Sequence, residues 1–187
     1  MLFRSYNNRK EEALQLFEQI KNSHLEIVKY LLVTQWKAAE DQLKEFFTEI
    51  EWLLHDKPVR NYGYYYDQII CCGEMFSSTI LYHYLIEQKV SAQWLDVRDI
   101  IRTDNNFRNA TVDWGYTNKR IQESVSPIFE QKKVVITQGF IGATDENEST
   151  TLGREGSDYT AAIFANLFNA TSVSIWKDVE AVMSADP

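Results

Sequence analysis

Apolar residues recur at helical spacing through the first third of the chain. Ala13, Phe17, Ile20, His24, Ile27 and Leu31 are separated by alternating steps of four and three, and Trp36, Ala39, Leu43, Phe46, Ile50 and Leu53 repeat the pattern. Such steps line one face of a helix. Two packed helices, or one long bent helix, are predicted, with Thr34 placed to cap the second. Each run is too short for a sustained coiled coil, so packing on a domain core is expected. His24, on the apolar face, reads as a satisfied core residue rather than a ligand.

Pro58 closes this helical segment, residues 1–57, and an α/β pattern is expected over 58–187. Asn61 to Tyr66 reads as an aromatic, Gly-containing loop and Gln68 to Cys72 as a short apolar strand. Glu74 to Gln88 has helical spacing. Ala92 to Leu95 reads as a strand, Arg98 to Trp114 as irregular, and Tyr116 to Glu130 as a helix. Lys133 to Gln138 is β-branched and predicts a strand, Ala143 to Thr150 an acidic surface loop, Asp158 to Phe168 an Ala-rich helix, and Val173 to Trp176 a last strand. Strands separated by helices of this length imply βαβ units and a mainly parallel sheet in an α/β fold.

Composition narrows the function. The chain has 187 residues and a formal charge of −8, which disfavours a general nucleic-acid binder because the phosphate backbone would be repelled. Cys71 and Cys72 are adjacent, a geometry that strains a disulfide, and read as buried thiols in a reducing compartment. With three dispersed His they form no zinc site, and no metal-ligating residues are predicted. The start, Met1-Leu2-Phe3-Arg4, lacks the apolar core of a signal peptide, and no apolar run approaches the roughly 18–20 residues that span a bilayer. A cytoplasmic protein with no membrane partner is expected.

The common phosphate-loop, dinucleotide, zinc-protease and nucleophile-elbow signatures are absent. The most informative segment is Thr150-Thr151-Leu152-Gly153-Arg154-Glu155-Gly156-Ser157-Asp158-Tyr159-Thr160. Gly153 and Gly156 permit positive φ or close backbone approach. Ser157 or Asp158 can cap the following helix, whose N-terminus favours anions, and Arg154 adds a fork suited to carboxylate or phosphate. A plain capped loop explains the same residues. In Cys72-Gly73-Glu74-Met75-Phe76-Ser77-Ser78, Glu74 opens a helix at the expected sheet edge, either facing a ligand or complementing the helix dipole. Trp94-Leu95-Asp96-Val97-Arg98 and Ile101-Arg102-Thr103-Asp104 carry alternating charges that read as surface ion pairs. Ile175-Trp176-Lys177-Asp178-Val179 places a polar pair after a strand.

Taken in order, these segments resemble the aspartokinases of the amino-acid kinase family. Gly73 to Ser78 matches a Gly-Glu-x-x-Ser-Ser helix start, Trp94 to Arg98 a Trp-x-Asp-x-Arg segment, Arg102 to Asp104 an Arg-Thr-Asp, and Thr137 to Gly142 a Thr-Gln-Gly-Phe-Ile-Gly strand end. Thr150 to Ala162 matches Thr-Thr-Leu-Gly-Arg-Gly-Gly-Ser-Asp-Tyr-Thr-Ala-Ala with one change. Ile175 to Val179 and Ser184 to Pro187 approximate Ile-Trp-Thr-Asp-Val and Thr-Ala-Asp-Pro.

The resemblance implies a three-layer α/β/α sandwich and ATP-dependent phosphorylation of L-aspartate to 4-phospho-L-aspartate, the first step toward lysine, threonine and methionine. It implies Arg154 on the aspartate α-carboxylate, Glu74 on its ammonium, Ser157 in the same pocket, and Asp158 as the catalytic carboxylate. Gly153, Gly156, Lys177, Asp178 and Met183 would line the ATP site, with Mg held mainly through the ATP phosphates. The parent would be a homo-oligomer, monofunctional or fused to homoserine dehydrogenase; a non-catalytic regulatory protein on the same fold is the other alternative. Departures from the pattern are Glu155 and Ala181 for Gly, Lys177 for Thr and Met183 for Tyr. The family's opening Lys-Phe-Gly-Gly-Thr-Ser segment and its regulatory ACT domains have no counterpart in these residues. The expectation is therefore a catalytic-domain piece, truncated at both ends and inactive alone.

Overall fold

Two helices form where the four-and-three spacing predicts them, α1 (Lys10–Leu31) and α2 (Trp36–His55), in a computed structural model that describes residues 9–131 and 133–177. In α2 most of the predicted stripe turns inward: Ala39, Leu43, Phe46 and Ile50 are buried, joined by Phe47 and Leu54, while Trp36 at the start stays exposed and Leu53 is partly buried. In α1 it does so only at first. Ala13 and Phe17 are buried, but Val28 takes the inward place further along, and Ile20, Ile27 and Leu31 stay more than a third exposed. With His24 these residues edge open apolar grooves beside the next helix. His24 is thus on a groove wall rather than in the core. Its Nδ1 lies 2.8 Å from the Ile20 carbonyl oxygen and its ring is edge-on to Phe76.

The expected loop at 61–66, strand at 68–72 and helix from 74 are one element, α3 (Tyr62–Glu87). Asn61 caps it by accepting the Tyr64 N–H at 2.9 Å. A short apolar run cannot be assigned to strand or buried helix by periodicity alone. Here the run is apolar because α3 packs against α1, α2, β-strands and the site hairpin, so it has little solvent face. By length and composition α3 is apolar enough to cross a bilayer, but half of its most apolar stretch is buried inside the protein. Cys71 and Cys72 are free and buried on it, and burial pushes the Cys72 thiol up to about 12.

The far end of α3 also supplies the cap assigned to Thr34. The Glu87 carboxylate accepts the N–H groups of Val33, Thr34 and Gln35 and the Thr34 hydroxyl, closing the start of α2. These hydrogen bonds, Val33 first, hold its pKa down to about 2 from an ordinary 4.5. A depressed carboxyl pKa contributes stability above the unfolded value and loses it as pH falls through the folded one. Glu87 is therefore expected to titrate near pH 2 by carboxyl NMR, with the Val33–Gln35 amides losing exchange protection over the same range. Titration near 4.5 would contradict the cap.

The first strand is β1 (Ala92–Trp94), so the helical part runs to Glu87 rather than ending near residue 57. β1 pairs in parallel with β2 (Val134–Ile136), Ala92 opposite Val134. The crossover passes through a 3-10 turn at Val97–Asp99, α4 (Trp114–Arg120), a wider π turn at Ile121–Val125 and α5 (Ser126–Glu130). Adjacent strand residues face opposite layers. Trp94 packs on the cluster built by α1–α3, and Leu95 on Ile100, Ile121 and Val125 together with Val135, Phe164 and Phe168. The strands thus lie between two helical layers, an α/β arrangement with three layers.

The predicted acidic loop is the turn of an antiparallel hairpin, β3 (Ile141–Ala143) and β4 (Ser149–Thr151), with Gly142 opposite Thr150. α6 (Gly156–Leu167) follows. Val173 to Trp176 is not a strand: among the described residues it has no ladder partner and is exposed.

Candidate active site

Asp67 organises the strand that leads to Arg154. It is a carboxylate of 0% exposure in α3. One oxygen accepts the N–H groups of Arg108 at 2.8 Å and Thr151 at 2.9 Å, and the other accepts the Thr151 hydroxyl at 2.9 Å. Burial pushes its pKa up, against the pull of those hydrogen bonds. Cys71, one turn later, donates its thiol to the Thr150 carbonyl. β4 is held on α3 in this way, three residues before Arg154. Sequence reasoning passed over Asp67. Its one signal was a lone charge inside the apolar run Tyr64-Tyr65-Tyr66-Asp67-Gln68-Ile69-Ile70.

Beyond β4 the chain turns sharply. Gly153 has φ of +81°, and a β-carbon there would lie 2.5 Å from the Asn109 side-chain oxygen, so glycine is required. Arg154 follows, exposed, with no hydrogen bond or ion pair among the described residues. Glu155 takes a left-handed conformation, φ +54°, as the N-cap residue of α6. Neither Ser157 nor Asp158 is the cap; both sit inside the first turn. A non-glycine residue in that conformation costs about 1 kcal/mol.

The Thr137–Gly142 segment closes over the start of α6. A β-carbon at Gly139 would sit 3.0 Å from the Ser157 Cα. The Phe140 N–H donates to the Thr160 hydroxyl at 3.0 Å, and the Leu152 N–H donates to the Phe140 carbonyl at 2.8 Å. Two separate motifs, joined by the hairpin, thereby share one edge. Lys177 reaches this edge too, 2.7 Å from an Asp158 oxygen and 3.5 Å from one of Glu155. Asp178 and Met183 lie outside the described residues.

Glu74 is within α3, not at its start, so the dipole reading fails. Its carboxyl is half-buried, and burial alone pushes its pKa above the ordinary 4.5. No hydrogen bond or ion pair joins it to Arg154, Ser157 or Asp158 among the described residues. One turn on, the Ser78 hydroxyl receives Trp94 Nε1–H at 3.1 Å and Gln138 Nε2–H at 2.8 Å, while Gln138 accepts the Val97 N–H. This network fixes the α3 face carrying Glu74 against the ends of β1 and β2. A half-buried carboxyl with no partner among the described residues favours its charged form only when a cation approaches.

Arg98 is not the surface charge expected. Its side chain is 19% exposed, forked onto Asp96, and reaches Glu49 on α2 and the Ser149 hydroxyl on β4. Arg102 likewise hydrogen-bonds the Thr144 carbonyl and stacks over Tyr116 at 4.5 Å. Both brace the site hairpin. Among the described residues no cluster of three or more His, Cys, Asp or Glu could hold a metal ion.

The sequence model of the Amino acid kinase family matches residues 6–187. Lysine-sensitive aspartokinase 3 of Escherichia coli strain K12 is 40% identical over 121 residues, 65% of this chain and 27% of that protein. The aspartokinase of Chlamydia trachomatis serovar D is 30% identical over 178 residues, 95% of this chain and 39% of that one. A bifunctional aspartokinase/homoserine dehydrogenase of Arabidopsis thaliana is 37% identical over 116 residues. Among solved structures, E. coli aspartokinase III in complex with aspartate and ADP superposes with a TM-score of 0.81 and 31% identity, over 90% of this chain and 37% of that one. The complex with lysine and aspartate gives 0.82. The chain therefore spans well under half the length of these relatives.

Proposed function

This chain belongs to the amino acid kinase family, and on that premise we propose that the whole protein phosphorylates the side-chain carboxylate of L-aspartate with ATP. The observation that carries the reading is the site edge itself. Arg154 and the first turn of α6 offer an anion site, and the half-buried Glu74 offers a cation site, neither side chain having a partner among the described residues. An amino acid with a second carboxylate has the charges such a pair would hold.

The acceptor carboxylate has an ordinary pKa of about 3.9, so it is ionised at neutral pH and needs no general base. An oxygen of that carboxylate attacks the γ-phosphorus, the bond to the bridging oxygen breaks, and ADP leaves with the electron pair. Arg154 would hold the α-carboxylate and Glu74 the ammonium, aligning the acceptor. Ser157 would contact the same substrate, and Asp158 would orient the reacting groups. Gly153 and Gly156 bring backbone close to the phosphates, with Lys177, Asp178 and Met183 toward the nucleotide. Magnesium would arrive with ATP, held through its phosphates, and would neutralise their charge.

The reading places the protein in the cytoplasm, as a homo-oligomer, at the first step toward lysine, threonine and methionine. Fusion to homoserine dehydrogenase fits the Arabidopsis relative equally well. A non-catalytic protein on this fold is favoured by one observation, the Lys177 contact with Asp158.

The test is formation of an acyl phosphate, trapped with hydroxylamine, by the whole protein with ATP and magnesium. Hydroxamate that requires L-aspartate is expected; binding of aspartate or ADP without turnover would favour the non-catalytic alternative. Glu74 adds a pH signature. Its raised pKa means that the charged form is disfavoured in the free site and gained when an ammonium binds. The KM for aspartate should fall as pH rises from 4.5 through that raised value, and Glu74→Gln should flatten the profile. A flat wild-type profile would remove Glu74 from ammonium binding.

A further inference from the structure

Two residues that break the family pattern, 22 positions apart, touch each other. Glu155 stands where the motif has Gly and Lys177 where it has Thr, and their side chains meet at 3.5 Å. Lys177 is closer still to Asp158, at 2.7 Å. Both carboxylates lie at the N-terminal turn of α6, the end that favours anions. Glu155 alone would add a negative charge there and oppose an incoming phosphate. Lys177 alone would add a positive one beside the carboxylate assigned to catalysis. Together they leave the local charge where the Gly and Thr of the pattern would leave it. Lys177 and Glu155 are 43% and 78% exposed, so the bridge contributes little to stability, and its effect is on the field at the site.

We propose that Glu155 and Lys177 are one compensating unit, in which Lys177 offsets Glu155 and holds the Asp158 carboxylate in place for nucleotide binding. Lys177 is a positioning residue in this scheme. It acts through Asp158 and through the charge presented to the phosphates. The inference rests on the nucleotide-dependent reading of the site, and it explains why a lysine on the Asp158 carboxylate need not mark an inactive protein.

The test is a double-mutant cycle in the whole protein, with Lys177→Thr, Glu155→Gly and the pair. ADP affinity is read by titration calorimetry at low and high salt, and the KM for ATP by hydroxamate formation. Lys177→Thr should weaken ADP about tenfold, less at high salt because the effect is electrostatic. Adding Glu155→Gly should recover most of that loss, and Lys177→Arg should retain most of the affinity. A structural role for Lys177 would give no rescue by Glu155→Gly. Equal ADP affinity in all four proteins, or a double variant as weak as Lys177→Thr, would overturn the proposal. Absence of aspartate-dependent turnover would instead overturn only the assigned reaction, because the ADP measurements still decide the pairing.

Discussion

Replacing Asp67 by alanine is expected to release β4 from α3 and to be the most damaging single change outside the reacting groups. The substitution orphans the Arg108 and Thr151 N–H groups and the Thr151 hydroxyl, all gathered on one buried carboxylate. Leaving a buried donor unpaired costs about 1–3 kcal/mol, so three together should cost at least about 3 kcal/mol locally. The raised pKa of Asp67 shows that its charge is not itself favourable in this place; the value of the side chain is as an acceptor. Asparagine should therefore substitute well. Its oxygen can accept both backbone N–H groups, and its amide can donate to the Thr151 hydroxyl. Hydrogen exchange of the Arg108 and Thr151 amides checks this directly. About 100-fold faster exchange is expected in Asp67→Ala, from the ratio of about 1.4 kcal/mol per decade, and little change in Asp67→Asn. Equal loss in both would mean that the charge matters and not the geometry.

The second large effect is at Arg154. The guanidinium is exposed and has no partner among the described residues, so nothing in the folded chain is lost when it is removed. Arg154→Ala should leave stability unchanged while removing the forked grip on the α-carboxylate. Charge-assisted hydrogen bonds contribute about 1.5–3 kcal/mol each, and two of them place the loss near 3 kcal/mol. The KM for aspartate should rise about 100-fold with a smaller change in kcat. Lysine at this position should recover only part, because an ammonium lacks the fork. An unchanged KM in Arg154→Ala would take Arg154 out of substrate binding.

These two residues differ in how they could be found. Arg154 sits in a motif whose glycines, capped helix and basic side chain are contiguous, so its chemistry is visible locally. Asp67 shows only as a charge in an apolar run. Its partners are 41 and 84 residues away, and nothing near it in the chain says what it binds. Glu74 is intermediate. The motif singled it out, but its reading as a helix start failed because the helix begins twelve residues earlier.

The same division runs through the fold. Spacing alone was enough for α2, where one face is buried from Ala39 onward, and for the strand at Val134–Ile136, where β-branched residues are consecutive. Ordered motifs were enough for the family, because each holds a local backbone shape. The sequence also determined, unaided, that Gly153 and Arg154 adjoin at the start of a helix. What it could not determine depends on burial on more than one side. α3 has neither a clean helical stripe nor strand alternation, since neighbours cover most of it, and a run apolar all round has no readable period. The outward drift of Ile20, Ile27 and Leu31 is decided by how α1 crosses α3 rather than by spacing. The Glu87 cap on α2, the Gly139 approach to Ser157 and the Lys177 contacts with Glu155 and Asp158 join residues from 18 to 54 positions apart. Only the tertiary structure brings such groups within hydrogen-bonding or van der Waals range, where their charge and polarity take effect.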